Sequence, residues 1–166
     1  MVSALNGLKA AVLVTAAFVT SGLQAQDQQK SKWSTNCVSY DRNSPAQCSM
    51  NHVVTVQETG QVLFNVTLRV AKTKGQMPFL DIIAPLGFFL PRGLSLSVDG
   101  NELFNLPIQR CDNKGCFAGV VLSSEQLGLL EDGDSLAVTF SPNMDQSAEV
   151  KVPLTGFTDS YAKIKH

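Results

Sequence analysis

The chain has 166 residues, 44% of them hydrophobic and 16% charged, with 13 Lys and Arg against 14 Asp and Glu for a formal net charge of −1. That length holds one domain with a substantial core. Near-neutrality without a basic run argues against a nucleic-acid binder and against electrostatic docking on an anionic membrane.

The first segment in chain order reads as a leader. MVSALNGLKAAVLVTAAFVTSGLQAQ carries one cation, Lys9, followed by a run from Ala10 to Val19 that is apolar except for Thr15. The run is short for a folded bilayer span. Small and polar residues ending Gly22-Leu23-Gln24-Ala25 complete the pattern of a cleaved secretory signal, with cleavage expected after Ala25. An uncleaved anchor is the alternative, and it lacks a basic stop-transfer flank. Residues 26–166 are then the mature domain, with 12 basic residues (13 less Lys9) against 14 acidic and no expected transmembrane helix.

After a polar stretch, the mature chain reads as strand after strand. Ser49 to Glu58 leads through Thr59-Gly60 into Gln61 to Ala71, where Val62, Phe64, Val66, Leu68 and Val70 alternate with polar residues. A period of two over that length is a half-buried strand, and the Gly-containing link is a hairpin signal. Phe79 to Ala84 stops at Pro85, and Leu94 to Val98 turns through Asp99-Gly100-Asn101 into Glu102 to Leu106. Asp-Gly between two such runs is a strong hairpin cue. Cys116 to Leu122, Ser135 to Ser141 and Glu149 to Leu154 add further strands. Two short helices interrupt them: Ser124 to Glu131, opening on a Ser cap, and a tail from Thr158, capped by that threonine, with Tyr161 and Ile164 on one side to cover an open sheet end. Eight or nine short strands with one or two short helices predict an all-β fold, an antiparallel β-sandwich of immunoglobulin-like or jelly-roll-like kind.

Four cysteines, Cys37, Cys48, Cys111 and Cys116, lie in the exported part. An even count in an oxidising compartment reads as two structural disulfides. Loop-closure entropy does not select among the three connectivities. Proximity and turn-forming flanks favour the local scheme, Cys37 with Cys48 and Cys111 with Cys116. The second pair sits in QRCDNKGCFAG, which also admits a thiol-exchange reading, because Lys114 would favour a thiolate. Its spacing is wider than the C-x-x-C of thiol oxidoreductases, and Asp112-Asn113-Lys114-Gly115 is turn chemistry. A zinc site wants four ligands at tighter spacing, so no metal and no cofactor is expected.

Other constellations are weaker. His52 and the terminal His166 are the only histidines, and no G-x-S-x-G elbow occurs, so no catalytic residue is assigned. Glu131, Asp132 and Asp134 suggest calcium but lack the twelve-residue loop pattern, and read as a solvated helix-to-strand turn. Asn65-Val66-Thr67 fits a glycosylation sequon inside a strand and reads as accidental. Gly87-Phe88-Phe89-Leu90-Pro91 places three large apolar residues in a link between strands. Phe88, Phe89 and Leu90 are either core or an exposed interaction loop for an envelope partner or lipid.

The ordered segments KWSTNC (32–37), APLGFFLPRGLSLSVDG (84–100), RCDNKGCFAG (110–119), LLEDGDSLAVTF (129–140) and PLTGFTDSYAKI (153–164) resemble the invasion-associated locus B family of exported bacterial envelope proteins. The likeness covers nearly the whole mature chain, with departures at LPIQR ahead of Cys111 and in LTGFTDSY near the end. It implies a β-sandwich, periplasmic or outer-membrane residence with possible secretion, and, for some members, a part in host-cell invasion. It carries over no catalytic residues. The reading is therefore a non-catalytic interaction module whose partner, an envelope or host-surface protein or a lipid, is unknown. A periplasmic thiol-disulfide protein using Cys111 and Cys116, or a carrier of a lipid or other apolar ligand, are the alternatives.

Overall fold

A computed structural model describes residues 33–39, 41–42, 46–70 and 77–165; the expected leader and its cleavage point lie outside these. The strands are β1 (Ser34–Val38), β2 (Gln47–Thr55), β3 (Val62–Val70), β4 (Phe79–Ala84), β5 (Leu94–Val98), β6 (Asn101–Leu106), β7 (Arg110–Asp112), β8 (Gly115–Val121), β9 (Ser135–Phe140) and β10 (Ala148–Pro153). They form two antiparallel sheets, a larger one in the order β1-β2-β3-β4-β8-β7 and a smaller one in the order β10-β9-β5-β6. The chain crosses between them three times, from β4 to β5, from β6 to β7 and from β8 to β9.

Alternation decides which face of each strand is buried. Phe64, Val66 and Leu68 are fully buried, while Leu63, Asn65 and Thr67 between them are half-exposed. The inward row continues across the larger sheet as Met50, Leu68, Leu80 and Val120, and its neighbour as His52, Val66, Ile82 and Ala118. From the smaller sheet, Leu94, Leu96, Leu136, Val138 and Val152 close the core from the other side. The alternation expected of the Val62 to Val70 face fails at its first member: Val62 is 52% exposed because it lies next to the irregular register between Val54 and Thr55.

Ten strands replace the expected eight or nine. β1 and β7 are the additions, each flanking a strand expected from the sequence. The first strand of the Thr59-Gly60 hairpin also runs earlier than expected, Gln47–Thr55 rather than Ser49 to Glu58. Its inward residues, Cys48, Met50 and His52, form a poor hydrophobic signal. The Asp99-Gly100 turn has φ of 49° and 85°, the pair of positive values that a tight two-residue hairpin turn requires.

The two helices, α1 (Ser124–Asp132) and α2 (Phe157–Ile164), start differently from expectation. The cap of α1 is Ser123 rather than Ser124. The Ser123 hydroxyl accepts from the Gln126 amide at 3.2 Å, and the Gln126 side chain accepts from the Ser123 amide at 2.8 Å, a reciprocal capping box. Thr158 does not cap α2. Gly156, with φ of 78°, occupies that position, and the Thr158 hydroxyl instead donates to the Glu131 carbonyl at the end of α1. The two helices are thereby tied together. Phe157, Ser160 and Ile164 are buried where α2 packs against β1 and β2, with Tyr161 half-buried on the same side. Burial pushes the Tyr161 phenol above its usual pKa, with the nearby Glu131 charge adding to the effect.

Candidate functional site

The two cysteine pairs join locally. Cys37 bonds Cys48 and Cys111 bonds Cys116, each pair directly opposite in neighbouring strands with Cα atoms 4.0 Å apart. The bridges lie at opposite edges of the larger sheet. Each links an exposed residue on an edge strand to a buried one on the next strand inward: Cys48 is 8% exposed and Cys116 1%.

Around Cys111 the electrostatics are local. Arg110 pairs with Asp112 at 2.6 Å and lies 3.6 Å above the Phe117 ring centroid. The Lys114 amide donates to Asp112 at 2.8 Å. That backbone hydrogen bond holds the Asp112 carboxyl below its usual pKa, against an opposing cost of desolvation and with lesser help from Arg110 and the Lys114 charge. Gly115 has φ of 140°, and a Cβ there would come within 2.5 Å of the Ala84 carbonyl oxygen. Glycine before the second cysteine therefore lets β8 run tight against β4.

The Gly87–Pro91 link contains both environments that the sequence admits. Phe88 is 9% exposed, with its ring edge-on to Phe140, which in turn packs edge-on against Phe64. Phe89 is half-buried, and its amide donates to the Ser141 carbonyl at 2.8 Å, fixing the link to the end of β9. Leu90 begins a single 3-10 turn, Leu90–Arg92, and is 42% exposed; Leu86 is 58% exposed. The loop after β9 carries Met144, 62% exposed. Residues 86–90 thus form a short apolar segment, exposed at Leu86 and Leu90 and fastened at its centre by Phe88 and Phe89.

The remaining candidates have structural surroundings. His52 is buried on the inner face of β2, 5.4 Å from the Trp33 ring. The Asp99 carboxylate accepts from the amides of Asp134 and Ser135 at 2.9 and 3.0 Å, so the acidic turn after α1 is a docking point for the β5–β6 hairpin. Among the described residues no group of three or more His, Cys, Asp or Glu is placed to hold a metal ion. Asn65 lies within β3, where the Thr67 hydroxyl donates to its side-chain oxygen at 3.4 Å. The space between the sheets, where a carried apolar ligand would sit, is occupied by large side chains including Phe64, Met50, Leu68 and Leu136. No helix among the described residues is long and apolar enough to cross a membrane.

Sequence reasoning missed the part played by Trp33. Its indole donates to the Pro153 carbonyl at 2.9 Å, its ring meets Phe157 edge-on, and its carbonyl accepts from the Ser160 hydroxyl at 3.2 Å. A lone tryptophan just ahead of a cysteine was the available signal.

Two antiparallel sheets, with two linked helices of which α2 packs on β1 and β2, and stapled at both edges of the larger sheet, define a small disulfide-bonded β-sandwich. Residues 33–165 match the model of the family described as Invasion associated locus B (IalB) protein, and the chain belongs to that family. It is 27% identical over 153 residues to invasion protein B homologs of Brucella abortus strain 2308 and of Brucella abortus biovar 1 strain 9-941. Those alignments cover 90% of this chain and 85% of each relative. The fold resembles the crystal structure of invasion associated protein b from Bartonella henselae, with a TM-score of 0.66 and 18% identity over 80% of this chain and 90% of that one.

Proposed function

We propose that this protein is exported to the bacterial periplasm or outer membrane and acts there as a non-catalytic interaction module, contributing to host-cell invasion or to envelope function. The exposed Leu86 and Leu90, on either side of the anchored Phe88 and Phe89, carry the reading. Exposed apolar side chains on a segment fixed by Phe88 and by the Phe89–Ser141 hydrogen bond offer a contact surface already set in shape. Family membership supports the invasion-associated role. The partner is an envelope or host-surface protein or a lipid.

The test is the double substitution Leu86→Ser with Leu90→Ser in the full-length gene expressed in its native cell. Association with the envelope fraction is expected to fall while the melting temperature is unchanged. Unaltered association at unaltered stability removes the segment from the reading. N-terminal sequencing of the exported protein is expected to begin at Gln26, and an intact Met1 overturns export by cleavage.

A second reading, thiol-disulfide exchange, has one observation in its favour: Cys111 is exposed on a short edge strand, with Lys114 in the turn beside it. A potential well above about −300 mV for this bridge in a glutathione titration supports exchange, and one below that value makes the bridge structural.

A further inference from the structure

The outward face of the smaller sheet carries a polar row. The strand register sets Asn105, Ser95, Thr139 and Glu149 side by side across all four strands. Where this row meets the start of β5 and the end of β9, a pocket of about 260 Å³ is walled by Arg92, Ser95, Thr139, Ser141 and Ser147, with Gly93 and Phe140 completing it. Three separate stretches of chain converge there: the 3-10 turn before β5, the end of β9 and the approach to β10.

Gly93 brings the first of these close. Its φ is 62°, and a Cβ at this position would come within 2.2 Å of the Leu106 carbonyl oxygen, so only glycine lets the turn carrying Arg92 sit against the end of β6. Ser141 is 3% exposed, yet its hydroxyl has no hydrogen-bond partner among the described residues, although its carbonyl takes the Phe89 amide. The side chains of Arg92, Thr139 and Ser147 are likewise uncommitted among the described residues. Ser95 differs, because its hydroxyl donates to the Asn105 side-chain oxygen at 2.6 Å. The lining residues therefore include one arginine and three hydroxyl side chains that make no hydrogen bond to a described residue, and no carboxylate. Glu149 neighbours Thr139 in the row but is exposed and outside the wall.

We propose that this pocket binds a tetrahedral oxyanion, the phosphate or sulfate group of a small ester. A guanidinium supplies a charged, forked pair of donors. The hydroxyls come from the end of β9 and the approach to β10, and the guanidinium from the turn before β5, so donors from three stretches suit a group with oxygens in three dimensions better than a planar carboxylate. A volume below the 300–1,000 Å³ usual for drug-sized ligands suits the anionic group with a short stem rather than a whole lipid or oligosaccharide. The pocket adjoins the apolar segment, because Arg92 ends the turn that Leu90 begins and the Ser141 carbonyl holds the Phe89 amide, but its donors are none of that segment's apolar side chains.

The experiment is a two-dimensional NMR titration of the mature protein with sodium phosphate, sodium sulfate and sodium acetate at constant ionic strength. Saturating shifts of the Thr139, Ser141 and Ser147 amides are expected with phosphate or sulfate at about millimolar concentration, with acetate weaker. Arg92→Ala is expected to weaken binding by about tenfold or more at an unchanged melting temperature, because it removes the charged donor. Arg92→Lys should restore part of it. Competition by glucose 6-phosphate assigns the ester to a sugar, and competition by phosphatidylglycerol vesicles assigns it to a lipid headgroup; either supports the site. Absence of saturation, equal response to acetate, or an Arg92→Ala titration matching the parent protein overturns it.

Discussion

The two edges of the larger sheet carry the same device in different settings. At each, a short strand with every residue exposed is joined to its neighbour by a disulfide between directly opposed residues. Loop-closure entropy makes the bridges nearly equal, about 2.8 kcal/mol for the separation of 11 residues and about 2.1 kcal/mol for the separation of 5. Their surroundings are unequal. β1 is preceded by Trp33, buried between β2, α2 and the end of β10, so it is held by tertiary contacts as well as by sulfur. β7 pairs with β8 over three residues, is flanked by the Gln109 hydrogen bonds to Phe117 and Gly119 and carries the stack of Arg110 on Phe117, but none of its own side chains is buried. A staple adds to buried tertiary contacts at the first edge and to strand pairing and surface contacts at the second.

The most severe way to break this comparison is Trp33→Ala. It is expected to cost about 3–5 kcal/mol, the range for deleting a large buried aromatic, and to leave the Pro153 carbonyl without its donor. Urea denaturation checks this, and a loss under about 1 kcal/mol would show that Trp33 does not hold the β1 edge. Next, replacing Cys37 and Cys48 together by Ala should destabilise by about 2.8 kcal/mol while β1 amides remain protected from hydrogen exchange. Replacing Cys111 and Cys116 by Ala should cost about 2.1 kcal/mol globally, but β7 and its pairing to β8 should lose exchange protection altogether. Equal protection at the two edges in these variants would erase the distinction.

The smallest expected effect is that of pH. Because the folded Asp112 carboxyl titrates below its ordinary value of 3.8, its contribution is complete above that value and is lost as pH falls through the folded pKa. Exchange protection in the β7–β8 turn should therefore weaken on acidification below the ordinary carboxylate range, while Trp33 fluorescence stays constant. Asp112→Asn should remove the pH dependence of the turn. Persistence of that dependence in the variant would place its origin elsewhere.

The same contrast explains what the sequence discloses. β3 is legible because Phe64, Val66 and Leu68 point inward from a pleated strand between polar neighbours, and the Asp99-Gly100 turn because few residue pairs accept two positive φ values. β1 and β7 are hidden because STNCV and RCD bury nothing and so show no period. In GFFLP, hydrophobicity alone could not divide core from surface, and the structure divides it within three residues, Phe88 inside and Leu90 outside. The local disulfides were anticipated from proximity, whereas their placement at two sheet edges required knowing the strand order. The walls of the Arg92 pocket come from residues 92–95 and 139–147, brought together by the pairing of β5 with β9 and by the Phe89–Ser141 hydrogen bond. No linear motif records such a meeting.

The strand order also dictates a timetable. β4 pairs with β8 only after residues 85–114, which contain the whole β5–β6 hairpin and β7, have been set aside, and β5 in turn waits for β9 to arrive from beyond α1. Pairings between distant stretches must meet the cost of loop closure before they return any stability, and they slow folding. The pairings of consecutive strands, among them β2–β3, β5–β6, β7–β8 and β9–β10, close shorter loops than β4–β8 and β5–β9. Until β8 pairs with it, the edge of β4 that carries Leu80 and Ile82 is open to association with other chains, so a late β4–β8 pairing exposes the folding protein to aggregation.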